Sequence, residues 1–180
     1  MYTKKELRAL CRGKRENIEN RQEKSAVIVS KILAMPQVKN ADKLFLFYPL
    51  KDEINLLPLM EYAKENGKMV GFPLCEDKDG KMSFRLVNSL DELETGSFGI
   101  REPSKNSAEI SPSGAVIFLP ALAVDKKGYR LGYGKGYYDR YLAKYPDLKP
   151  FTVGVIYEEL LFDEIPHDKY DIPCDKVVYG

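Results

Sequence analysis

Histidine and cysteine are scarce in this sequence, and their scarcity excludes several kinds of site. His167 is the single histidine in 180 residues, so a multi-histidine metal site is excluded and a Ser-His-Asp triad would have to use this residue. It lies between two prolines in IPHDKYDIP, which indicates an ordinary loop histidine. Cys11, Cys75 and Cys174 are too widely spaced for a zinc motif or a disulfide framework. They indicate free thiols in a reducing compartment, the cytoplasm.

A charge excess and a long apolar run are also lacking. Lysine and arginine number 28 against 27 for aspartate and glutamate, a net charge of +1, whereas nucleic-acid-coating proteins carry a strong basic excess. The longest apolar stretch, residues 114–124, contains Pro120 and is about half the roughly 20 residues that a membrane helix needs. No apolar signal segment opens the chain. We therefore expect a single cytoplasmic domain over residues 1–180 that acts on neither membranes nor nucleic acid.

The hydrophobic pattern predicts buried strands that alternate with helices. Thr3 and Glu6 have capping-box spacing, and Pro36 is expected to stop the second helix. The predicted helices cover 3–35 in two pieces, 55–66, and a stretch from near Tyr137 to near Tyr145. The predicted strands cover 43–48, 68–74, 81–87, 115–119, 151–157 and a short run at 176–179, and 88–114 is expected to be mostly loop. This order predicts an α/β fold with a largely parallel sheet flanked by helices.

The segment LPALAVDKKGYRLGYGKGYYDRYL, residues 119–142, carries the strongest chemical signal. It follows a predicted buried strand and opens a helix, which is where open α/β sheets bind ligands. Gly132, Gly134 and Gly136 carry no side chains that would cover the backbone N–H groups. Such N–H groups can face an anion, and the start of a helix favours phosphate. The segment therefore predicts a phosphate-binding loop.

Charged side chains flank these glycines. Arg130 and Lys135 can bind phosphate oxygens, and Asp139, one turn into the predicted helix, is a suitable Mg²⁺ ligand beside a phosphate. The spacing G-x-G-x-G is not the dinucleotide pattern, and Gly136 after Lys135 excludes the P-loop pattern. On these residues alone, a flexible tyrosine-rich surface loop stays open as the alternative.

The block RLGYGKGYYD at 130–139 closely resembles the signature of the 5-formyltetrahydrofolate cyclo-ligase family. The resemblance continues through KKELR at 4–8, DEI at 52–54, IREP at 100–103 and PCDKVVY at 173–179. It implies a three-layer α/β fold similar to that of sugar-phosphate isomerases and CoA-transferases. It also implies an ATP- and Mg²⁺-dependent conversion of 5-formyltetrahydrofolate to 5,10-methenyltetrahydrofolate, through a phosphorylated formyl group that N10 closes, with ADP and phosphate released. The implied partner is a folate, and we expect a monomer.

The resemblance also implies roles for individual residues, and a carboxylate such as Glu53 suits a pterin because it accepts hydrogen bonds from N–H donors. The implied ATP contacts are Lys4, Arg8, Arg130, Gly132, Gly134, Lys135, Gly136, Tyr137 and Tyr138. Lys135 and Arg130 are the implied catalytic residues. The implied folate contacts are Tyr48, Glu53, Glu102, Tyr133, Gly134, Lys135, Gly136 and Tyr137. The implied magnesium ligands are Asp139 and Asp175.

Other interpretations stay open for some of these residues. Lys4 and Arg8 also fit a solvated basic helix face, and Asp175, taken alone, reads as a surface aspartate. Phe72 fits core packing as well as a pterin wall. Two functions of other classes also stay open: a nucleic-acid-binding module that stacks bases on the loop tyrosines, and an ATP-independent sugar-phosphate isomerase or CoA-transferase.

Overall fold

A computed structural model describes residues 2–77, 79–96 and 99–180 of the chain. The α-helices in these ranges are α1 (Lys4–Glu16), α2 (Arg21–Leu33), α3 (Pro36–Asn40), α4 (Pro58–Glu65) and α5 (Tyr137–Ala143). The strands are β1 (Lys43–Phe45), β2 (Met69–Cys75), β3 (Met82–Leu86), β4 (Leu93–Thr95), β5 (Arg101–Pro103), β6 (Ala115–Leu119), β7 (Ala123–Asp125), β8 (Arg130–Leu131), β9 (Phe151–Ile156), β10 (Leu161–Phe162) and β11 (Lys176–Tyr179).

Six strands form a central sheet in the order β11-β9-β6-β1-β2-β3. Neighbouring strands run parallel except β2 and β3, which pair antiparallel at one edge. The register places Leu44 of β1 between Val70 of β2 and Val116 of β6. The prediction of a largely parallel sheet is therefore confirmed, and the carboxyl ends of β1, β6 and β9 meet at the same edge of the sheet.

Helices cover both faces of this sheet, as a mainly parallel sheet requires. All residues of β6 are buried, and alternate ones face opposite layers. Val116 packs in a cluster with Leu7 of α1, whereas Ile117 packs in a second cluster with Tyr141 of α5. The three-layer arrangement follows directly from this alternation.

The amino-terminal helices begin and end largely as the sequence predicts. The Thr3 hydroxyl accepts a hydrogen bond from the backbone N–H of Glu6, whose carboxylate accepts one from the backbone N–H of Thr3, so the capping box is confirmed. The predicted division into two pieces falls at Asn20, whose φ of 54° interrupts the helical backbone. Pro36 stops the second helix as predicted: α2 ends at Leu33 with Ala34 as its C-cap, and Pro36 occupies the first turn of α3. Proline is tolerated there because the first N–H groups of a helix have no partner within it.

Several short strands were not predicted. The stretch 88–114 contains the antiparallel pair β4–β5 and a 3₁₀ turn at Leu90–Glu92. The glycine-rich segment contains β7 and β8, which form a small sheet with β10. The predicted strand 43–48 is shorter, Lys43–Phe45. Strands of two or three residues carry too little alternation to be recognised from sequence.

The burial of individual side chains tests the expectations for Phe72 and for the three cysteines. Phe72 is fully buried in the core, which supports core packing over a pterin wall. Cys11 and Cys174 are buried and Cys75 is half-buried, and all three are free thiols, as expected. Within the three described ranges, none of the helices combines the length and the apolar content needed to cross a bilayer.

Candidate active site

The glycine-rich segment lies between the β7–β8 hairpin and α5, in the connection that follows the carboxyl end of β6. Gly134 has a φ of +107°, and Gly136, the residue before α5, has a φ of +65°. Side chains rarely tolerate such backbone angles, so these two positions need glycine. The segment is therefore a shaped turn, which supports a phosphate-binding loop over a merely flexible one.

Arg8 lies against this turn. Its Nε donates to the carbonyl oxygen of Gly132 at 2.9 Å. A Cβ placed on Gly134 would lie 3.4 Å from the guanidinium carbon of Arg8. The structure thus brings the amino-terminal arginine to the glycine turn, 124 residues away in sequence, and the interpretation as a purely solvated helix face is wrong for Arg8.

Lys4 is directed elsewhere. Its Nζ lies 2.7 Å from a carboxylate oxygen of Asp168 and 2.5 Å from one of Asp171. These two ion pairs fasten the start of α1 to the segment that precedes β11. The implied ATP contact of Lys4 is untested, and in this conformation its ammonium group is occupied by two carboxylates.

Arg130 and Asp139 form a largely buried ion pair. Arg130 Nη2 donates to Asp139 Oδ1 at 2.9 Å, and the two side chains are 5% and 20% exposed. The backbone N–H of Ile172 donates to the same oxygen at 3.2 Å, and the guanidinium lies 5.5 Å from the ring centre of Tyr138. Among the described residues, Arg130 Nε has no hydrogen-bond partner and Asp139 Oδ2 accepts no hydrogen bond. Asp139 Oδ2 is therefore available to a ligand, whereas Arg130 Nε is enclosed by protein in this conformation.

Lys135 and Tyr137 occupy the end of the turn. Lys135 is exposed, and its ammonium group has no partner in the part of the chain that the structure describes. Its carbonyl oxygen accepts a hydrogen bond from Arg140. The Tyr137 hydroxyl donates to the carbonyl oxygen of Asp77 at 2.7 Å, which connects the turn to the β2–β3 hairpin. Among the described residues, the ammonium group of Lys135 is thus free to meet an anion, and its role in binding phosphate stays a prediction.

Glu53 is a buried carboxylate at the other side of the site, with its side chain 7% exposed. Its Oε1 accepts a hydrogen bond from the Tyr133 hydroxyl, and its Oε2 accepts one from the backbone N–H of Leu50 at 2.8 Å. Burial raises the pKa of Glu53, although these two hydrogen bonds and Arg15 oppose the shift. Tyr133 and Glu53 are both implied folate contacts, and Tyr133 stands between Gly132 and Gly134, so this contact joins the folate carboxylate implied by the resemblance to the glycine turn.

Arg15 and Asp52 are site residues that sequence reasoning missed. Arg15 Nε lies 2.7 Å from Asp52 Oδ2, its Nη2 donates to the Tyr133 hydroxyl at 2.8 Å, and its Nη1 lies 3.8 Å from Glu53 Oε1. The side chain of Arg15 is 4% exposed. The one available signal was its spacing of seven residues from Arg8, which places both on one face of α1.

A small pocket opens beside Arg15 and Glu53 at the carboxyl edge of the sheet. Its wall includes Phe47 after β1, Pro120 after β6 and Tyr157 after β9. It encloses about 10 Å³, space for roughly one water molecule. A larger ligand therefore needs its wall to move. Tyr133, 38% exposed, lies next to this pocket because its hydroxyl donates to Glu53.

The remaining implied folate residues lie near the β2–β3 hairpin. Glu102 is buried on β5 and acts on Cys75, whose pKa is raised to about 12 by burial together with this carboxylate. The Tyr48 ring lies 5.6 Å from the guanidinium of Arg101. Burial raises the pKa of the Tyr137 phenol, and the Glu102 carboxylate adds a smaller contribution in the same direction.

Asp175 is held at the amino-terminal end of β9. Its Oδ2 accepts hydrogen bonds from the backbone N–H and the hydroxyl of Thr152, at 2.7 and 2.8 Å. In the described ranges no group of three or more histidine, cysteine, aspartate or glutamate residues is arranged to hold a metal ion. The assignment of Asp139 and Asp175 as magnesium ligands stays a prediction, and it would need ligand atoms beyond these two carboxylates.

The single histidine lies in a loop, as expected. The His167 ring stacks on Tyr129 with ring centres 3.6 Å apart and an angle of 1° between the planes. Its neighbour Asp168 pairs with Lys4. These contacts give His167 a packing role in the segment that anchors α1.

Comparison with known proteins places this arrangement in a family context. The sequence matches the model described as "5-formyltetrahydrofolate cyclo-ligase family" over residues 1–180. It is 31% identical to a 5-formyltetrahydrofolate cyclo-ligase of Mus musculus, over 98% of this chain and 89% of the relative. It is 29% identical to that of Escherichia coli K12, over 89% and 90%. The NMR structure of Aquifex aeolicus 5,10-methenyltetrahydrofolate synthetase is similar, with a TM-score of 0.84 and 36% identity over 98% of this chain and 89% of that one.

Proposed function

The chain belongs to the 5-formyltetrahydrofolate cyclo-ligase family, the enzymes that form 5,10-methenyltetrahydrofolate from 5-formyltetrahydrofolate, and we propose that it carries out this reaction with ATP and Mg²⁺. Family membership sets aside the sugar-phosphate isomerase and CoA-transferase alternatives. We further propose a monomeric, single-domain, cytoplasmic enzyme that does not act on nucleic acid. Salt-dependent binding of single-stranded nucleic acid would contradict the last point.

The observation that carries this proposal is the contact between the glycine turn and the buried carboxylate. Tyr133 lies in the turn next to Gly132, which Arg8 holds, and its hydroxyl reaches Glu53. A phosphate bound at the turn and a pterin bound at Glu53 would therefore be neighbours. A reaction that joins a nucleotide phosphate to a folate substituent needs this proximity.

The proposed chemistry has two steps. The formyl oxygen of the substrate attacks the γ-phosphorus of ATP, the bond to the ADP oxygen breaks, and ADP leaves. N10 then attacks the formyl carbon, the carbon–oxygen bond to the phosphoryl group breaks, and phosphate leaves as N10 loses its proton. The substrate supplies both nucleophiles, so the protein contributes positioning and charge neutralisation.

The side chains at the turn fit a triphosphate. Lys135 has no partner in the described residues, and the buried Nε of Arg130 is likewise unpartnered there. Leaving a buried guanidinium N–H without an acceptor costs free energy, about 1–3 kcal/mol, and an anionic oxygen would relieve it. We assign to Arg130 and Lys135 the neutralisation of charge on the transferred phosphoryl group, and to Arg8 the positioning of the turn.

The carboxylates of Asp139 and Asp175 also suit a divalent cation. Asp139 Oδ2 accepts no hydrogen bond from the described residues, and Asp175 Oδ1 is likewise without a donor there. Carboxylate oxygens with triphosphate oxygens and water form the hard ligand set that Mg²⁺ prefers. When bound, the ion would supply neutralisation of triphosphate charge. Asp139 also holds Arg130 through their ion pair, so it stabilises the glycine turn whether or not a metal is bound.

An absorbance assay tests the proposal. The protein is mixed with 5-formyltetrahydrofolate and Mg²⁺, with and without ATP, and the near-ultraviolet absorbance of the conjugated methenyl product is followed. We expect growth that needs ATP and is lost when EDTA is added. Growth without ATP would refute the proposed cosubstrate, and no growth from a protein with a cooperative melting transition would refute the proposed reaction.

A further inference from the structure

The pocket beside Glu53 contains a second buried charged group that the family resemblance does not assign. The Arg15 side chain is 4% exposed, whereas its partners Asp52 and Glu53 are 29% and 7% exposed. An arginine is almost never buried unless its charge is paired. The structure shows the pairing, and it lies at the wall of the pocket where the pterin would enter.

Arg15 is connected to Glu53 in two ways. Directly, its Nη1 lies 3.8 Å from Glu53 Oε1. Indirectly, its Nη2 donates to the Tyr133 hydroxyl at 2.8 Å, and this hydroxyl donates to Glu53 Oε1. The Tyr133 oxygen thus accepts from Arg15 while its proton points to Glu53, which fixes the direction of the hydrogen bond.

We propose that Arg15 is a positioning residue of the folate pocket, which orients the Tyr133 hydroxyl on Glu53 and keeps the Glu53 side chain as a carboxylate. The inference rests on the proposed role of Glu53 in binding a pterin. A carboxylate offers acceptors alone, whereas a protonated acid would present a donor to the N–H groups of the pterin. Arg15 reaches the substrate through Glu53 and Tyr133, so its contribution is to their geometry and charge.

The charges around Glu53 have opposing effects. Burial raises its pKa, the Leu50 N–H, the Tyr133 hydroxyl and Arg15 lower it, and Asp52 raises it. The other titratable group in the pocket wall is Tyr157, and burial raises the pKa of both Tyr157 and Tyr133. Both phenols therefore stay neutral near pH 7, so neither accounts for a titration in the acidic range.

These opposite signs give a test that a purely structural role would not pass. Arg15→Met removes the positive charge, and Asp52→Asn removes the negative charge from the same ion pair. The exposed Arg12, one turn earlier on α1, provides the matched control Arg12→Met. The acidic limb of kcat/KM for 5-formyltetrahydrofolate is measured at saturating ATP for each variant.

We expect Arg15→Met to move this limb to higher pH by about one unit or more, as loss of an opposite charge within about 4–6 Å does. Asp52→Asn should move it in the opposite direction, Arg12→Met should leave it in place, and Arg15→Lys should restore part of the shift. An equal loss of kcat/KM at every pH in Arg15→Met, with the limb unmoved, would overturn the inference.

A second measurement does not depend on activity. The ¹³C resonance of the Glu53 carboxyl, identified by its absence in Glu53→Gln, is titrated in the ligand-free protein, and Arg15→Met should raise its midpoint. If Arg15→Met does not fold, Asp52→Asn carries the comparison, and its midpoint should fall. If Arg15→Met raises the midpoint but Glu53→Gln leaves folate binding unchanged, the proposed role of Glu53 is refuted and the role of Arg15 is not. If Glu53→Gln weakens folate binding but the Arg15 variants leave the midpoint unmoved, the role of Arg15 is refuted and the role of Glu53 is not.

Discussion

Gly134→Ala is expected to weaken ATP binding through the shape of the turn, without removing any polar group. The φ of Gly134 is +107°, a region in which an L-residue carries about 1–3 kcal/mol of strain. The new Cβ would also lie 3.4 Å from the guanidinium carbon of Arg8. The turn must then either keep the strain or change shape, and a new shape would move it away from Arg8.

The magnitude follows from that strain. If the strain is released by a shape that cannot bind phosphate, 1–3 kcal/mol corresponds to a loss of about 5- to 150-fold in affinity. Gly132→Ala is the matched control, because Gly132 has no positive φ and its Cβ would meet only Arg130 Nη1 at 3.4 Å. We expect a smaller loss for Gly132→Ala than for Gly134→Ala, because the methyl group added at Gly132 carries no positive-φ strain.

Isothermal titration calorimetry with a non-hydrolysable ATP analogue measures both affinities, and thermal unfolding checks that both variants fold. Equal losses in Gly134→Ala and Gly132→Ala would show that the positive φ of the turn does not matter for nucleotide binding. An unchanged affinity in both would refute the assignment of this turn to phosphate. A role for the positive φ of Gly134 requires that the two variants differ in affinity for the ATP analogue.

The other predictions concern charge, substrate selectivity and helix stability. Lys135→Ala should abolish turnover with an unchanged melting temperature, because its ammonium group has no partner in the described residues. Asp139→Ala should also abolish turnover. It should lower the melting temperature as well, because it leaves the buried Arg130 without its carboxylate. Glu53→Gln should raise the Kd for folate more than the Kd for ATP, and equal losses in the two titrations would contradict a pterin-specific role. Gly13 lies in α1, and a Cβ added there has no atom within 4 Å. Gly13→Ala should therefore increase the free energy of unfolding by about 0.5–1 kcal/mol. A lower free energy of unfolding in a denaturant titration would show that the added methyl group meets a neighbour.

The elements that the sequence predicts well are those whose pattern is long or whose caps are local. β6 and β9 are apolar runs buried on both faces, so each reads as a strand without knowledge of its neighbours. The capping box at Thr3 is complete within four residues. The missed strands, such as β8 and β10, have two residues each, and they exist because a partner strand holds them.

The site residues fall into the same two groups: some can be predicted from local sequence, and others depend on contacts between distant segments. The glycine turn is local, so its residues and its shape are readable from one stretch of sequence. The contact of Arg15 with Tyr133 joins residues 118 apart, and the ion pairs of Lys4 join residues 164 and 167 apart. Residue type alone cannot identify such partners, because an arginine or lysine on a helix is usually solvated. Arg15 therefore becomes visible as a site residue only once the sheet has brought the two segments together.

These distant contacts explain why α1 is basic on one side. Lys4, Arg8, Cys11 and Arg15 recur at the spacing of one helix face, and each is half-buried or buried, whereas Arg12 is exposed. Arg8 holds the backbone of the glycine turn, and Arg15, about 10 Å further along the helix, holds the tip of Tyr133 on Glu53. One helix therefore spans both halves of the proposed site, and Lys4 fastens its first turn to Asp168 and Asp171. The separation between the glycine turn and Glu53 therefore depends on α1 and on the anchor at its start.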